Sequence, residues 1–170
     1  GTKIQQWYTP PEAGCPDNTG TCSITPNNVL AGGPGQWSIQ VYDPAGYGPW
    51  SAPVEFTVNP PPAATLISPT GTIITQQPTY TWNAVPGSTR YYLSLNDSTG
   101  VKIQQWYTAE EAGCPNGTGT CCVTPSTQVT EGPGQWWIQT YNPAGNGPSS
   151  AGMHFNNIYL APLDPHTKSL

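Results

Sequence analysis

Apolar and polar residues alternate in short runs along this chain, and Gly, Pro, Asn and Asp break the runs. "TYTWNAV" (79–85) puts Tyr80 and Trp82 on one side, "RYYLSL" (90–95) does so with Tyr91, Leu93 and Leu95, and "QWWIQTY" (135–141) with Trp136 and Ile138. A period of two over four to eight residues marks a strand with one buried face. "TLISP" (65–69), "VKIQQWYT" (101–108), "CCVTP" (121–125) and "AGMHF" (151–155) bring the predicted strands to seven. "NDSTG" (96–100) reads as a turn between the third and fourth, since Asn, Asp and Gly tolerate turn geometry. The predicted fold is all-β, with two antiparallel sheets packed face to face.

The pattern occurs nearly twice. Residues 1–57 match residues 100–156 at a constant offset of 99, with 35 of 57 positions identical. "GTKIQQWYT" at Gly1 returns as "GVKIQQWYT" at Gly100, and "GPGQW" occurs at Gly33 and Gly132. A period of this size is that of a sandwich domain, not of a solenoid unit. The expected organisation is the C-terminal part of one module at 1–58, a Pro-rich linker at 59–64 and a complete module at 65–157. A tail at 158–170 follows, readable as a donor strand or the start of a next module. The linker, within "VNPPPAAT", should limit bending between modules.

"WWIQTYNPAGNGPSS" resembles the sixth-strand signature of fibronectin type III modules, carried here by Trp136, Ile138, Asn142, Ala144, Gly145, Gly147, Pro148 and Ser150. Trp82 matches the core Trp of the second strand in that family. The resemblance covers the complete copy and the matching part of the first. It implies tandem Ig-like or fibronectin type III-like antiparallel β-sandwiches, the first one incomplete. The cysteine loop departs from that pattern, and with it the chain looks more like Ig-like repeats of bacterial secreted or surface proteins, fibres and adhesins among them.

Composition narrows the function more than the fold. The chain has 4 Lys+Arg, 9 Asp+Glu, 21 Pro, 19 Gly, 7 Trp and 9 Tyr in 170 residues. So many aromatics argue against disorder, and four scattered basic residues cannot neutralise a phosphate backbone, so no nucleic-acid partner is expected. No 18-residue apolar run predicts a membrane span. With neither an initiator Met nor a signal peptide, the N-terminus is expected to be a processed or trimmed end.

Cys15 and Cys22 bracket "PDNTGT", and Cys114 and Cys121 bracket "PNGTGT". The matched spacing predicts one local disulfide per copy and an oxidising compartment, extracellular or at the cell surface. Each short loop would contribute about 2–3 kcal/mol. Cys122, which stands where the first copy has Ser23, is a candidate free or intermolecular thiol, or a rival to Cys121 for Cys114. A zinc site is disfavoured because no His lies near either pair.

Little else carries chemistry. His154 falls on the last strand, expected toward solvent, and His166 in the tail, with no motif that would orient either for acid–base work. Glu110 and Glu111 are neighbours on a loop, not carboxylates facing across a cleft. No enzymatic activity, metal or cofactor is expected. If Trp136 and Ile138 point inward, Trp137 and Tyr141 point outward, with Tyr92 on the adjacent third strand and Trp106 to join them. Such a stripe can pack on a neighbouring module, bury against a subunit, or stack on sugar rings. Asn96 in "NDS" and Asn116 in "NGT" fit the N-glycosylation pattern on predicted turns.

The first copy lacks counterparts of residues 63–99, hence three strands. Trp37, Ile39, Val41 and Phe56 would then face water, forfeiting roughly 6–12 kcal/mol at about 1.5–3 kcal/mol for each buried side chain. A small domain has about 5–15 kcal/mol of net stability. Another part of the polypeptide, or a neighbouring chain, is expected to complete it. The functional expectation is a non-enzymatic structural module of an extracellular bacterial fibre or surface array, self-associating end to end. The alternatives are a glycan-binding or adhesin module, and a spacer in a large secreted protein.

Overall fold

The computed structural model describes residues 4–158. The chain divides into two compact units between Ala31 and Gly32. The second unit contains all the strands of the described residues. They are β1 (Gly33–Trp37), β2 (Gln40–Asp43), β3 (Gly46–Trp50), β4 (Val54–Val58), β5 (Leu66–Ser68), β6 (Gly71–Ile73), β7 (Tyr80–Asn83), β8 (Arg90–Asp97), β9 (Gly100–Thr108), β10 (Thr120–Val123), β11 (Gly132–Asn142), β12 (Gly145–Ser149) and β13 (Met153–Asn157).

Strands β5 to β13 build the complete module. One sheet runs β10–β7–β5, and the other runs β6–β13–β11–β8–β9 with β12 also paired to β11. All pairings are antiparallel except β13 with β6. The alternation read from sequence is realised directly. Tyr80, Trp82, Tyr91, Leu93, Leu95, Trp136 and Ile138 are all fully buried between the sheets. Tyr80 meets Trp136 edge-on with ring centroids 5.1 Å apart, and Trp82 meets Tyr91 at 5.2 Å. The Trp136 indole donates to the carbonyl of Pro69 at 3.0 Å. The Tyr80 hydroxyl and Trp82 Nε1 are buried without a hydrogen-bond partner, a cost of about 1–3 kcal/mol each that the aromatic burial must offset.

Two strands escape the sequence pattern, so the module has nine rather than seven. β6 has three residues and gains its backbone partners from a distant segment, pairing Phe155 with Gly71. β12 is "GNGPS", Gly- and Pro-rich enough to read as a turn, yet it pairs with β11 across a register shift between Gln139 and Tyr141. Asn96 lies within β8 rather than in the turn.

The Pro-rich segment lies against the complete module. The Thr140 hydroxyl donates to the Pro62 carbonyl at 2.9 Å, and Asn142 Nδ2 to the Asn59 carbonyl at 3.3 Å. Ala64 is part of the core. Gly147 makes the approach possible, because a Cβ there would strike the Pro61 carbonyl and the Thr140 hydroxyl. Gly147→Ala is therefore expected to cost about 1–3 kcal/mol by overpacking, read as a lowered midpoint in thermal or urea unfolding. The matching Gly48→Ala, where a Cβ would meet only ordinary contacts, should change stability by under about 0.5 kcal/mol.

The first copy repeats every pairing that its own residues can make. β1 pairs with β4 from Gly33↔Val58 to Trp37↔Val54, the register of β11 with β13 shifted by 99 residues. β2 and β3 repeat the β11–β12 pairing together with its register shift. What differs is the stretch that β8 holds in the complete module. There β11 is continuous over eleven residues, whereas Ser38 and Ile39 separate β1 from β2. Phe56 corrects the sequence reading. It is half-buried rather than facing water, because its ring covers Gly35 as Phe155 covers Gly134.

The first unit contains the cysteine loop and has no strand among its described residues. Its backbone bonds Ala13 N–H to Thr9 O, Cys15 N–H to Pro10 O and Ser23 N–H to Ala13 O. They reproduce Ala112 to Thr108, Cys114 to Ala109 and Cys122 to Ala112.

Candidate functional site

Three outward aromatics of the complete module form one cluster. Tyr92 on β8 stands opposite Trp106 on β9 in the strand register, and Tyr141 on β11 lies diagonal to them. The Tyr92 and Trp106 centroids are 5.0 Å apart with planes inclined at 44°, and Trp106 and Tyr141 are 5.8 Å apart, nearly edge-on. Trp106 is 39% exposed, and the two tyrosines are half-buried. The rings thus pack on one another more than they form one flat platform.

Trp137 stands beside this cluster. With Tyr92, Ser94, Gln139 and Ser149 it lines a shallow depression of about 320 Å³. Its indole rests where Gly152 leaves room, since a Cβ there would strike Trp137 and Gln135. Gln139 Nε2 donates to the Gly147 carbonyl at 3.1 Å, which orients the amide and leaves its oxygen free to accept. The lining offers ring faces, three hydroxyls and an amide, and no charged group. It can stack an apolar or sugar-like surface and hydrogen-bond it, but it holds no acid–base pair. Among the described residues, no cluster of three His, Cys, Asp or Glu could hold a metal, and no helix is long and apolar enough to cross a membrane.

The second candidate is the apolar face of β1, β2 and β4. Trp37 is 53%, Ile39 55% and Val41 67% exposed, while their counterparts Trp136, Ile138 and Thr140 are fully buried. In the complete module β8 pairs with these positions of β11, and the β7 side chains cover them from the opposite sheet.

Disulfides join Cys15 to Cys22 and Cys114 to Cys121. Strand alternation separates the two adjacent cysteines. Cys121 faces the core, whereas Cys122 points outward, exposed and unbonded. Asn96 and Asn116 are exposed, as is His154. His166 and the tail from residue 159 lie outside the described residues.

The main electrostatic feature was not anticipated from sequence. Asp97 closes β8 with its side chain out of contact with water. One carboxylate oxygen accepts from the Thr99 amide and hydroxyl (2.8 and 2.7 Å), and the other from the Thr130 amide and hydroxyl (2.9 and 2.7 Å). Lys102 Nζ lies 3.6 Å away. Burial pushes its pKa up, but these hydrogen bonds outweigh it and hold the carboxyl well below the usual range. In each cysteine loop a glutamate accepts from the backbone and hydroxyl of the threonine three residues earlier, Glu12 from Thr9 and Glu111 from Thr108. These bonds lower both carboxyl pKa values, in the manner of a capping box.

Three antiparallel strands packed on a sheet ordered β6–β13–β11–β8–β9 define an Ig-like β-sandwich. No family model and no curated protein matches the chain. Among solved structures it is similar to the crystal structure of the FN1–FN3 domains of chicken CNTN1. The identity is 17% and the TM-score 0.40, over 82% of this chain and 47% of that one. The chain therefore spans about half the length of that structure.

Proposed function

We propose that this chain is a non-enzymatic structural segment of tandem β-sandwich modules, working outside a bacterial cell and joined end to end with further modules in a fibre or surface array. The observation that carries this reading is the near-identical repeat, whose pairings β1–β4 and β2–β3 reproduce β11–β13 and β11–β12 at an offset of 99 residues. The Pro-rich segment supports it, because specific hydrogen bonds fix it to the module that it leads into. The two disulfides suit an oxidising compartment. Light scattering of the chain at micromolar concentration is expected to show concentration-dependent association. A monodisperse species of one chain's mass would overturn end-to-end assembly.

A second reading, a glycan-binding module, has its own observation in the depression lined by Tyr92, Trp137, Ser94, Gln139 and Ser149. It competes directly with the first at the bench. On a glycan array, this reading requires binding that Trp137→Ala abolishes. Absence of binding, or binding indifferent to that substitution, removes the site. Ser38 at the matching position means that the first copy does not repeat it.

A further inference from the structure

Beyond end-to-end joining, we infer a contact along the side of the complete module: the edge of β9 pairs antiparallel with β9 of a second copy of this chain, across a two-fold axis. Among the described residues, the outer strands of the module's two sheets are β5, β6, β9 and β10. Three of them are short, with three, three and four residues. β9 has nine, "GVKIQQWYT", with no Pro and one charged residue. That residue, Lys102, lies 3.6 Å from the Asp97 carboxylate, which offsets its charge. A long outer strand without Pro or uncompensated charge lacks the usual guards against pairing with another strand.

The two ends of this edge fix the register. At one end a bulge pairs Leu95 with Ile103 and Asn96 with Val101, so Lys102 has no opposite residue and the regular ladder begins at Ile103. At the other end the Thr108 amide donates to the Glu111 carboxylate at 2.7 Å and is lost to any partner strand. The usable edge is therefore 103–107, with Gln105 at its centre. The Ala109 amide donates to the Thr89 carbonyl, so Ala109 turns toward the chain entering β8 and Thr108 turns away from it. By antiparallel alternation the amides and carbonyls of Gln104 and Trp106 also face away from β8. A two-fold axis at Gln105 sets Gln104 opposite the partner's Trp106, and both backbone groups of each find a partner.

The same register selects a second copy as the occupant. Ile103 meets the partner's Tyr107 on the core-facing side, where both already pack on the core. Gln104 meets the partner's Trp106 on the outward side, extending the cluster of Trp106 with Tyr92 and Tyr141. Every inward residue thus stays inward. Gln105 is exposed and meets its own counterpart, amide to amide, so no like charges oppose each other. An edge that is complementary to itself closes as a two-fold dimer.

Hydrogen exchange by NMR on the full chain tests this over a range of protein concentrations. The Gln104 and Trp106 amides should exchange fast in dilute solution and slow about tenfold as the edges pair, while the Gln105 amide is protected by β8 throughout. Gln105→Lys and Gln105→Glu each set like charges opposite one another and should weaken the pairing about fivefold. An equimolar mixture of the two should restore the slow exchange. Thr120→Lys, the same added charge on the short outer strand β10, should change nothing. Far-UV circular dichroism checks that each variant is folded. Exchange at Gln104 and Trp106 that ignores concentration would overturn the pairing and leave end-to-end joining to its own test. Slowing that survives Gln105→Lys, or that the mixture fails to restore, would place the partner elsewhere and overturn it equally.

Discussion

Trp136→Ala is expected to destabilise the complete module by about 3–5 kcal/mol, the cost of emptying a large aromatic site in a core. Trp37→Ala, at the matching position of the first copy, should cost about 1 kcal/mol, roughly half of what full burial of a large apolar side chain contributes. The two residues sit in the same "GPGQW" and in the same strand register. Only their surroundings differ. Trp136 is fully buried, edge-on to Tyr80, and donates its indole N–H to Pro69. Trp37 is 53% exposed, so its removal gives up about half the apolar cover and leaves no enclosed cavity. Urea unfolding followed by far-UV circular dichroism measures both. A large cost at Trp37 would mean that something covers that face in solution, and its dependence on protein concentration would then identify self-association as the source.

The second large effect is expected at Asp97. Replacing it with Ala leaves the Thr99 and Thr130 donors without their charged acceptor and Lys102 without its partner. The expected loss is about 2–4 kcal/mol, between that of a hydrogen bond to a charged group and that of a broken buried ion pair. Asn should recover part of it through its remaining carbonyl oxygen. The pH dependence has a definite sign. The folded pKa of Asp97 lies below its unfolded value. Its contribution is therefore complete above the ordinary Asp pKa of about 3.9 and fades as pH falls toward the folded value. Melting temperatures between pH 7 and pH 2 should drop more steeply for the native chain than for Asp97→Asn. Parallel curves for the two would show that Asp97 is not the group responsible.

The sequence disclosed the inward set of the complete module well, because strand alternation is a one-dimensional signal. Tyr80, Trp82, Tyr91, Leu93, Leu95, Trp136 and Ile138 needed nothing beyond a period of two. It did not disclose Asp97, whose partners Thr99 and Thr130 meet only when the turn after β8 folds beside the chain entering β11. The outward aromatics were legible as a set, but not their division into a self-packed trio and a separate Trp137, which depends on strand register and on the opening at Gly152.

The near-identical segments at Gly1 and Gly100 separate what a sequence determines alone from what tertiary structure decides. The cysteine loop takes the same backbone bonds in both copies, with the same Thr–Glu contact and a disulfide spanning seven residues. Its partners lie within reach along the chain, so its sequence suffices. "KIQQWYT" behaves otherwise. Within β9 it is a strand because Arg90–Asp97 lies alongside, whereas residues 4–9, which share all but its first residue, form no strand. A helix or turn finds its hydrogen-bond partners nearby, but a strand must borrow them from another segment. Sequence alone thus determined the alternation, the turns and the cysteine loop. Which alternating segments become buried strands was decided by whether a partner segment lies beside them.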